Sequence, residues 1–220
     1  MDNSQSIHLC GSVVGARPHI CAFFRNPAEE HRVLLPFVQE GLLNGEKVFQ
    51  AVDPQRLEQQ VSWLNSAGID VAGLRRSGQL ELRPWTDIYL RGGAFDWRWT
   101  FDFYGTVVDD ARAQGYPRVR FITHMGWALQ DLPGVDDLLE YEARANDPCL
   151  RHDGLLSPVI CTYDLTRFSG EFVVDIIQTH PMVIIGGVLH ENPFFVPPDE
   201  YVRQRRERLA GVRLSTFHAG

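Results

Sequence analysis

The chain has 220 residues, enough for a full hydrophobic core without covalent staples. Its composition, 44% hydrophobic and 22% charged, is that of an ordinary soluble globular protein. A net charge of −7 speaks against a general binder of nucleic acid or of anionic membrane, and a single lysine, Lys47, removes most routes to Schiff-base chemistry.

Four cysteines, Cys10, Cys21, Cys149 and Cys161, form no CxxC pair, so zinc-ribbon and thioredoxin motifs are absent. Their wide spacing, with no basic-plus-apolar leader ahead of them, predicts reduced thiols and a cytoplasmic protein. The longest apolar run, Met182 to Leu189, is far short of the roughly 20 residues that a membrane span needs.

Residues 1–18 read as a flexible lead-in and 19–210 as one domain, with no composition break, repeat or low-complexity stretch. His19 to Phe24 is the first strand. Asn26-Pro27 then opens a helix, with asparagine as N-cap, proline in the first turn and Glu29 and Glu30 behind it. Leu34, Leu35, Val38, Leu42 and Leu43 continue at helical spacing, and Asn44-Gly45 ends the run. Lys47 to Val52 is the second strand. Asp53-Pro54 starts a helix carrying Leu57, Val61 and Leu64, closed at Ala67-Gly68. Leu80 to Pro84 is a third strand, and Tyr89 to Asp96 a glycine-bearing loop. Trp97 to Gln114 is a long aromatic helix.

Pro117 to Trp127 then reads as a buried strand expected at the centre of the sheet, ending in a turn. Ligands of open α/β sheets bind outside the carboxyl ends of the strands. This strand is therefore expected to deliver His124 and Trp127 to one pocket. Val135 to Ala145 is a helix that would close the pocket with Tyr141 or Glu142. Pro158 to Tyr163 is a strand ending at Asp164. Gly170 to Thr179 is a helix stopped by His180-Pro181. Met182 to Leu189 reads as a last strand, and Asp199 to Leu209 as a charged helix. Strands alternating with helices predict a mostly parallel α/β sheet with helices on both faces.

Standard nucleotide chemistry lacks its motifs. No GxxxxGK[ST] run and no G-x-G-x-x-G is present, and the first strand passes directly into Arg25-Asn26-Pro27. The G-x-S-x-G elbow of hydrolases is also missing. Cys161 with His180 could pair as nucleophile and base, but a cysteine inside an apolar strand is more often a small core residue. His19, Cys21, His124, Cys161 and His180 are ligand types that suit zinc, copper or iron, although no pair has a standard short ligand spacing. The aromatic residues of 97–104 and Trp127 suit core packing or the wall of an apolar pocket.

Several short motifs, in order, resemble the MEDS domain, a sensory domain of bacterial and archaeal regulators. They are His19-Ile20-Cys21-Ala22-Phe23-Phe24; Leu35-Pro36-Phe37-Val38-Gln39-Glu40-Gly41-Leu42 with Gly45-Glu46; and Gly115-Tyr116-Pro117-Arg118-Val119-Arg120. Met125-Gly126-Trp127-Ala128-Leu129 follows, then Pro133-Gly134 and Leu139-Glu140-Tyr141-Glu142-Ala143. The last are Cys161-Thr162-Tyr163-Asp164, Thr179-His180-Pro181 and Glu191-Asn192-Pro193. The resemblance implies a three-layer RecA-like fold without a P-loop. It also implies a sensory protein that binds a small, hydrocarbon-like molecule and signals to a regulatory partner or through a homodimer, with no cofactor, no direct nucleic acid contact and no turnover. His19, Phe23, His124, Trp127, Tyr141, Glu142, Cys161, Tyr163, Asp164 and His180 are the expected ligand-binding residues. Thr123-His124 departs from the Gly-Glu usual in the family. Imidazole there can donate or titrate where a carboxylate only accepts, which would turn ligand choice toward anionic, acceptor or metal ligands. The alternatives are a metal- or haem-linked sensor using His124, and a degenerate nucleotide- or thiol-dependent hydrolase.

Overall fold

A computed structural model describes residues 6–14, 19–147 and 156–217. Its centre is a seven-stranded sheet formed by β3 (His19–Phe24), β4 (Lys47–Val52), β5 (Leu80–Pro84), β6 (Val119–His124), β7 (Leu156–Asp164), β8 (Met182–Ile185) and β9 (Val188–Glu191). The order is β5-β4-β6-β7-β3-β8-β9, parallel throughout except for the β8–β9 pair. This is the expected mostly parallel sheet with helices on both faces. The expected central strand β6 is interior, but β7 occupies the middle position.

Strands β3, β4 and β6 are buried at every residue, which explains why they read as nearly unbroken apolar runs. Successive side chains still alternate between faces. Cys21, Phe23, Phe49, Phe121, Cys161 and Tyr163 join one core with α5 (Trp97–Ala113), α6 (Leu138–Arg144) and α7 (Gly170–Thr179). Ile20, Ala22, Val48, Ile122 and Ile160 join a second core with α1 (Pro27–Leu43), α2 (Leu57–Ser66) and α3 (Val71–Ser77).

The helix ends follow their local chemistry. Asn26 accepts from the Glu29 amide at 2.9 Å, and Pro27 occupies the first turn where its missing N–H costs nothing. Ser169 caps α7 in the same way.

Four features differ from the sequence reading. Met182–Leu189 is a hairpin rather than one strand. Gly186 and Gly187, at φ 61° and 77°, supply the two left-handed positions of its tight turn. Within the lead-in, β1 (His8–Leu9) and β2 (Ser12–Val13) form a small hairpin, and the His8 ring lies 2.6 Å from Glu40 of α1. Helix α3 was not expected at all, although Asp70 caps it through the Gly73 amide. The C-terminal helix α8 spans Pro198–Phe217, longer than its charged stretch suggested.

On the α1 face β6 buries Arg120. Its guanidinium meets Glu46 and Glu40, donates to the Phe37 carbonyl and lies over the Phe37 ring. Gly41 makes room for it, since a Cβ there would stand 2.7 Å from Arg120 Cδ. The Leu35–Leu42, Gly45-Glu46 and Pro117–Arg120 motifs are thus parts of one buried ionic knot.

Candidate functional site

Two polar sites lie on opposite faces of the sheet. The first is fully buried on the α6–α7 face. His19 comes from the start of β3, Cys161 from β7, Glu142 from α6, and His180 from the residue after α7. Glu142 Oε2 stands 3.3 Å from His19 Nε2 and 3.2 Å from His180 Nε2, at ion-pair distance but off hydrogen-bond alignment with His180. Cys161 Sγ is 3.5 Å from His19 Nε2 and 3.7 Å from Glu142 Oε2. Tyr163 donates its hydroxyl to the other carboxylate oxygen at 3.1 Å.

Burial would raise the pKa of Glu142, but hydrogen bonds and positive charge from His180 and His19 bring it down to about 2, so it is a carboxylate. Burial, together with the charge of His180, pushes His19 below its usual value against the pull of Glu142. Burial, followed by the charge of Glu142, pushes the Tyr163 hydroxyl and the Cys21 thiol far up, so both stay protonated. Among the described residues, His19, Glu142, Cys161 and His180 form the one group of three or more metal-capable donors, all within 4.8 Å of one another.

The second site lies at the carboxyl end of β4 and β6 on the α1–α2 face. A small cleft of about 20 Å³, little more than room for one water and partly open to solvent, is lined by Glu30, Gln50, Arg56, Gln60 and His124. Its apolar wall is Leu34, Leu35, Val38, Leu64 and Ile122. Glu30 accepts from Arg56 at 3.1 Å through one oxygen and stands 3.1 Å from His124 Nε2 through the other. Gln60 donates to the Gln50 carbonyl oxygen at 2.8 Å. In this cleft Glu30 Oε1, His124 Nδ1, Gln50 Nε2 and Arg56 Nε are buried without a hydrogen-bond partner among the described residues. Burial pushes the His124 pKa below its usual value. Glu30 and Asp53 oppose that shift and Arg56 adds to it. His124 is therefore neutral.

The expected residues thus divide. His19, Glu142, Cys161, His180 and Tyr163 come together. His124 does not join them, and it does not share a pocket with Trp127. As an even-numbered residue of β6 it points with Ile122 to the α1 face. Trp127, in the turn after the strand, is buried on the other side. There it stacks on Tyr89 and packs against Phe95, each ring centroid 4.5 Å away. Tyr141 stacks on Phe101, and Phe23 packs beside Tyr163. Asp164 accepts from Thr166 and holds the turn after β7. Sequence reasoning missed Glu30, Gln50 and Arg56, which only the fold gathers around His124. It also missed Asn146, whose place four residues after Glu142 on a helical run was a readable signal. Cys149 lies outside the described residues.

The family described as MEDS, the MEthanogen/methylotroph, DcmR Sensory domain, matches residues 18–181, and the chain belongs to it. It is also similar to the transcriptional repressor DcmR of Methylorubrum extorquens, 23% identical over 178 residues that make up 81% of this chain. The match spans 63% of that relative's length. The flagellar accessory protein FlaH of Methanocaldococcus jannaschii aligns at a TM-score of 0.42 and 16% identity, over 79% of this chain and 75% of its own. At that level the likeness carries no argument about function. The family and the relative support a sensory, regulatory role. Among the described residues no helix is long and apolar enough to cross a membrane.

Proposed function

We propose that this sensory domain acts in the cytoplasm by binding a small organic molecule in the pocket beneath His124 and passing its occupancy to a regulatory protein partner, without turnover. The observation that supports it is the set of buried, unpartnered polar atoms lining that pocket, Glu30 Oε1, His124 Nδ1, Gln50 Nε2 and Arg56 Nε. Buried polar atoms without partners are costly, and a ligand that completes them gains that cost back as affinity. An amide nitrogen and a guanidinium nitrogen only donate. The ligand therefore offers an acceptor to Gln50 and Arg56 and can offer a donor to Glu30 Oε1, as a hydroxyl group on a short carbon chain does. The apolar wall of Leu34, Val38, Leu64 and Ile122 takes the chain.

His124 stands where the resembling family carries a carboxylate, so the exchange removes a negative charge from the site and makes it less suited to cations. The test is saturation-transfer NMR with short-chain alcohols, ketones, carboxylates, haloalkanes and amines on wild type, His124→Ala and His124→Glu, between about pH 5 and 8. Acceptor-bearing probes should bind wild type and lose affinity in both variants, while amines should gain in His124→Glu. Equal binding and equal pH profiles for all three proteins would remove the pocket from the sensing role.

A further inference from the structure

We infer that His19, Glu142, Cys161 and His180 form a closed, four-ligand site for a divalent metal ion of zinc type. The inference stands apart from the pocket beneath His124, which lies on the other face of the sheet.

The hydrogen bonds behind the two imidazoles settle where their protons are. His180 Nδ1 lies 3.0 Å from the Ile176 carbonyl oxygen, which can only accept, so Nδ1 carries the proton. Asn146 donates to the Ala143 and Thr179 carbonyls at 2.9 and 2.8 Å, which fixes its amide orientation. Its oxygen therefore faces His19 Nδ1, 3.3 Å away, and that nitrogen is the donor. With Nδ1 the donor in each ring, Nε2 is the atom free to take a metal, and both Nε2 atoms face the same oxygen of Glu142.

Without a cation these contacts depend on protons held between the imidazoles and the carboxylate. A cation among them turns the same contacts into ligation. Backing an imidazole through Nδ1 with a carbonyl or amide oxygen is how metal-binding histidines are commonly oriented.

The spacing agrees. Zinc bonds of about 2.0–2.3 Å place neighbouring vertices of a tetrahedron about 3.3–3.6 Å apart. The donor separations are 3.3 Å for His19 with Glu142, 3.2 Å for His180 with Glu142, 3.5 Å for Cys161 with His19 and 3.7 Å for Cys161 with Glu142. Tyr163 holds the second carboxylate oxygen, which leaves Oε2 to the site. Two neutral imidazoles, a carboxylate and a thiolate balance a divalent charge. On binding, the Cys161 thiol loses its proton to solvent as the sulfur–metal bond forms. Four protein ligands leave no open position, so the ion would tie α6, β3, β7 and the end of α7 together rather than activate water.

The test is removal of metal from the purified full chain with a chelator, followed by titration with Co²⁺ and with Zn²⁺. Expected are about one equivalent bound, the intense visible absorption of tetrahedral Co²⁺ with a thiolate-to-metal band, and displacement of both by Zn²⁺. Cys161→Ser should lose the thiolate band, and Cys10→Ser should keep it. Asn146→Ala, which removes the oxygen behind the His19 ring together with the amide's bonds to the Ala143 and Thr179 carbonyls, should weaken binding about 10–100-fold in protein that stays folded. No Co²⁺ uptake by folded wild type would overturn the assignment. So would a spectrum unchanged by Cys161→Ser, or imidazolium signals from His19 and His180 in protein that takes up no metal.

Discussion

The molecule buries charge in two places, and the two are built differently. The Arg120 knot joins a guanidinium to Glu46 and Glu40 and to the Phe37 carbonyl, so donors meet acceptors. In the Glu142 cluster a carboxylate oxygen faces two imidazole nitrogens and a thiol, all of them metal-ligand types. The first matches guanidinium to carboxylates within the protein, with Arg120 Nη2 left without a hydrogen-bond partner among the described residues, and serves the fold. The second becomes complete with a cation. Buried charge is thus a poor guide to function until the direction of each hydrogen bond is known.

The largest expected effect lies in the Arg120 knot. Arg120→Ala leaves Glu46, 2% exposed, without its main partner, and should cost about 3–5 kcal/mol in urea unfolding. Replacing Arg120, Glu46 and Glu40 together with apolar residues of similar size should recover most of that loss. If the single variant costs as little as the triple, the knot is not a matched unit.

Gly41→Ala is next. Its new Cβ would meet the Arg120 side chain at 2.7 Å, so the variant should cost about 1–3 kcal/mol. The same exchange at Gly105, where nothing lies within 4 Å, should stabilise α5 by up to about 1 kcal/mol. Equal Tm shifts at both glycines would show that Arg120 has room to move.

The smallest effect concerns His124. Its folded pKa lies below the ordinary 6.5, through burial and Arg56 and against Glu30 and Asp53. The unfolded chain therefore binds the proton more readily. The stability tied to neutral His124 is present above about pH 6.5 and is lost as pH falls below it. His124→Gln should fall less steeply over that window in urea midpoints, while His19 keeps its own share of the slope in both proteins. Parallel pH profiles would mean that His124 is not held neutral.

Much of the fold was legible because its strands are buried on both sides and its helices carry their own caps. Asn26-Pro27 and His180-Pro181 mark boundaries where the structure has them. The Gly186-Gly187 turn was hidden inside an apolar run that read as one strand. The site was legible in its members and not in its grouping. His19, Glu142, Cys161 and His180 were all expected to bind a ligand, yet residues 127 positions apart, such as His19 and Asn146, meet only through strand order. His124 and Trp127 were expected together because they are close in sequence. Strand alternation sends one to each face, and the turn after His124 takes Trp127 away from it.

The most direct test of the sensing pocket is an amide NMR titration of the full chain with whichever acceptor-bearing short-chain probe binds. The expected result is a set of shifts at Glu30, Gln50, Arg56, Ile122 and His124, with Glu142 and Cys161 unmoved. Shifts confined to the Glu142 face, or spread over the surface without saturation, would contradict a binding site beneath His124.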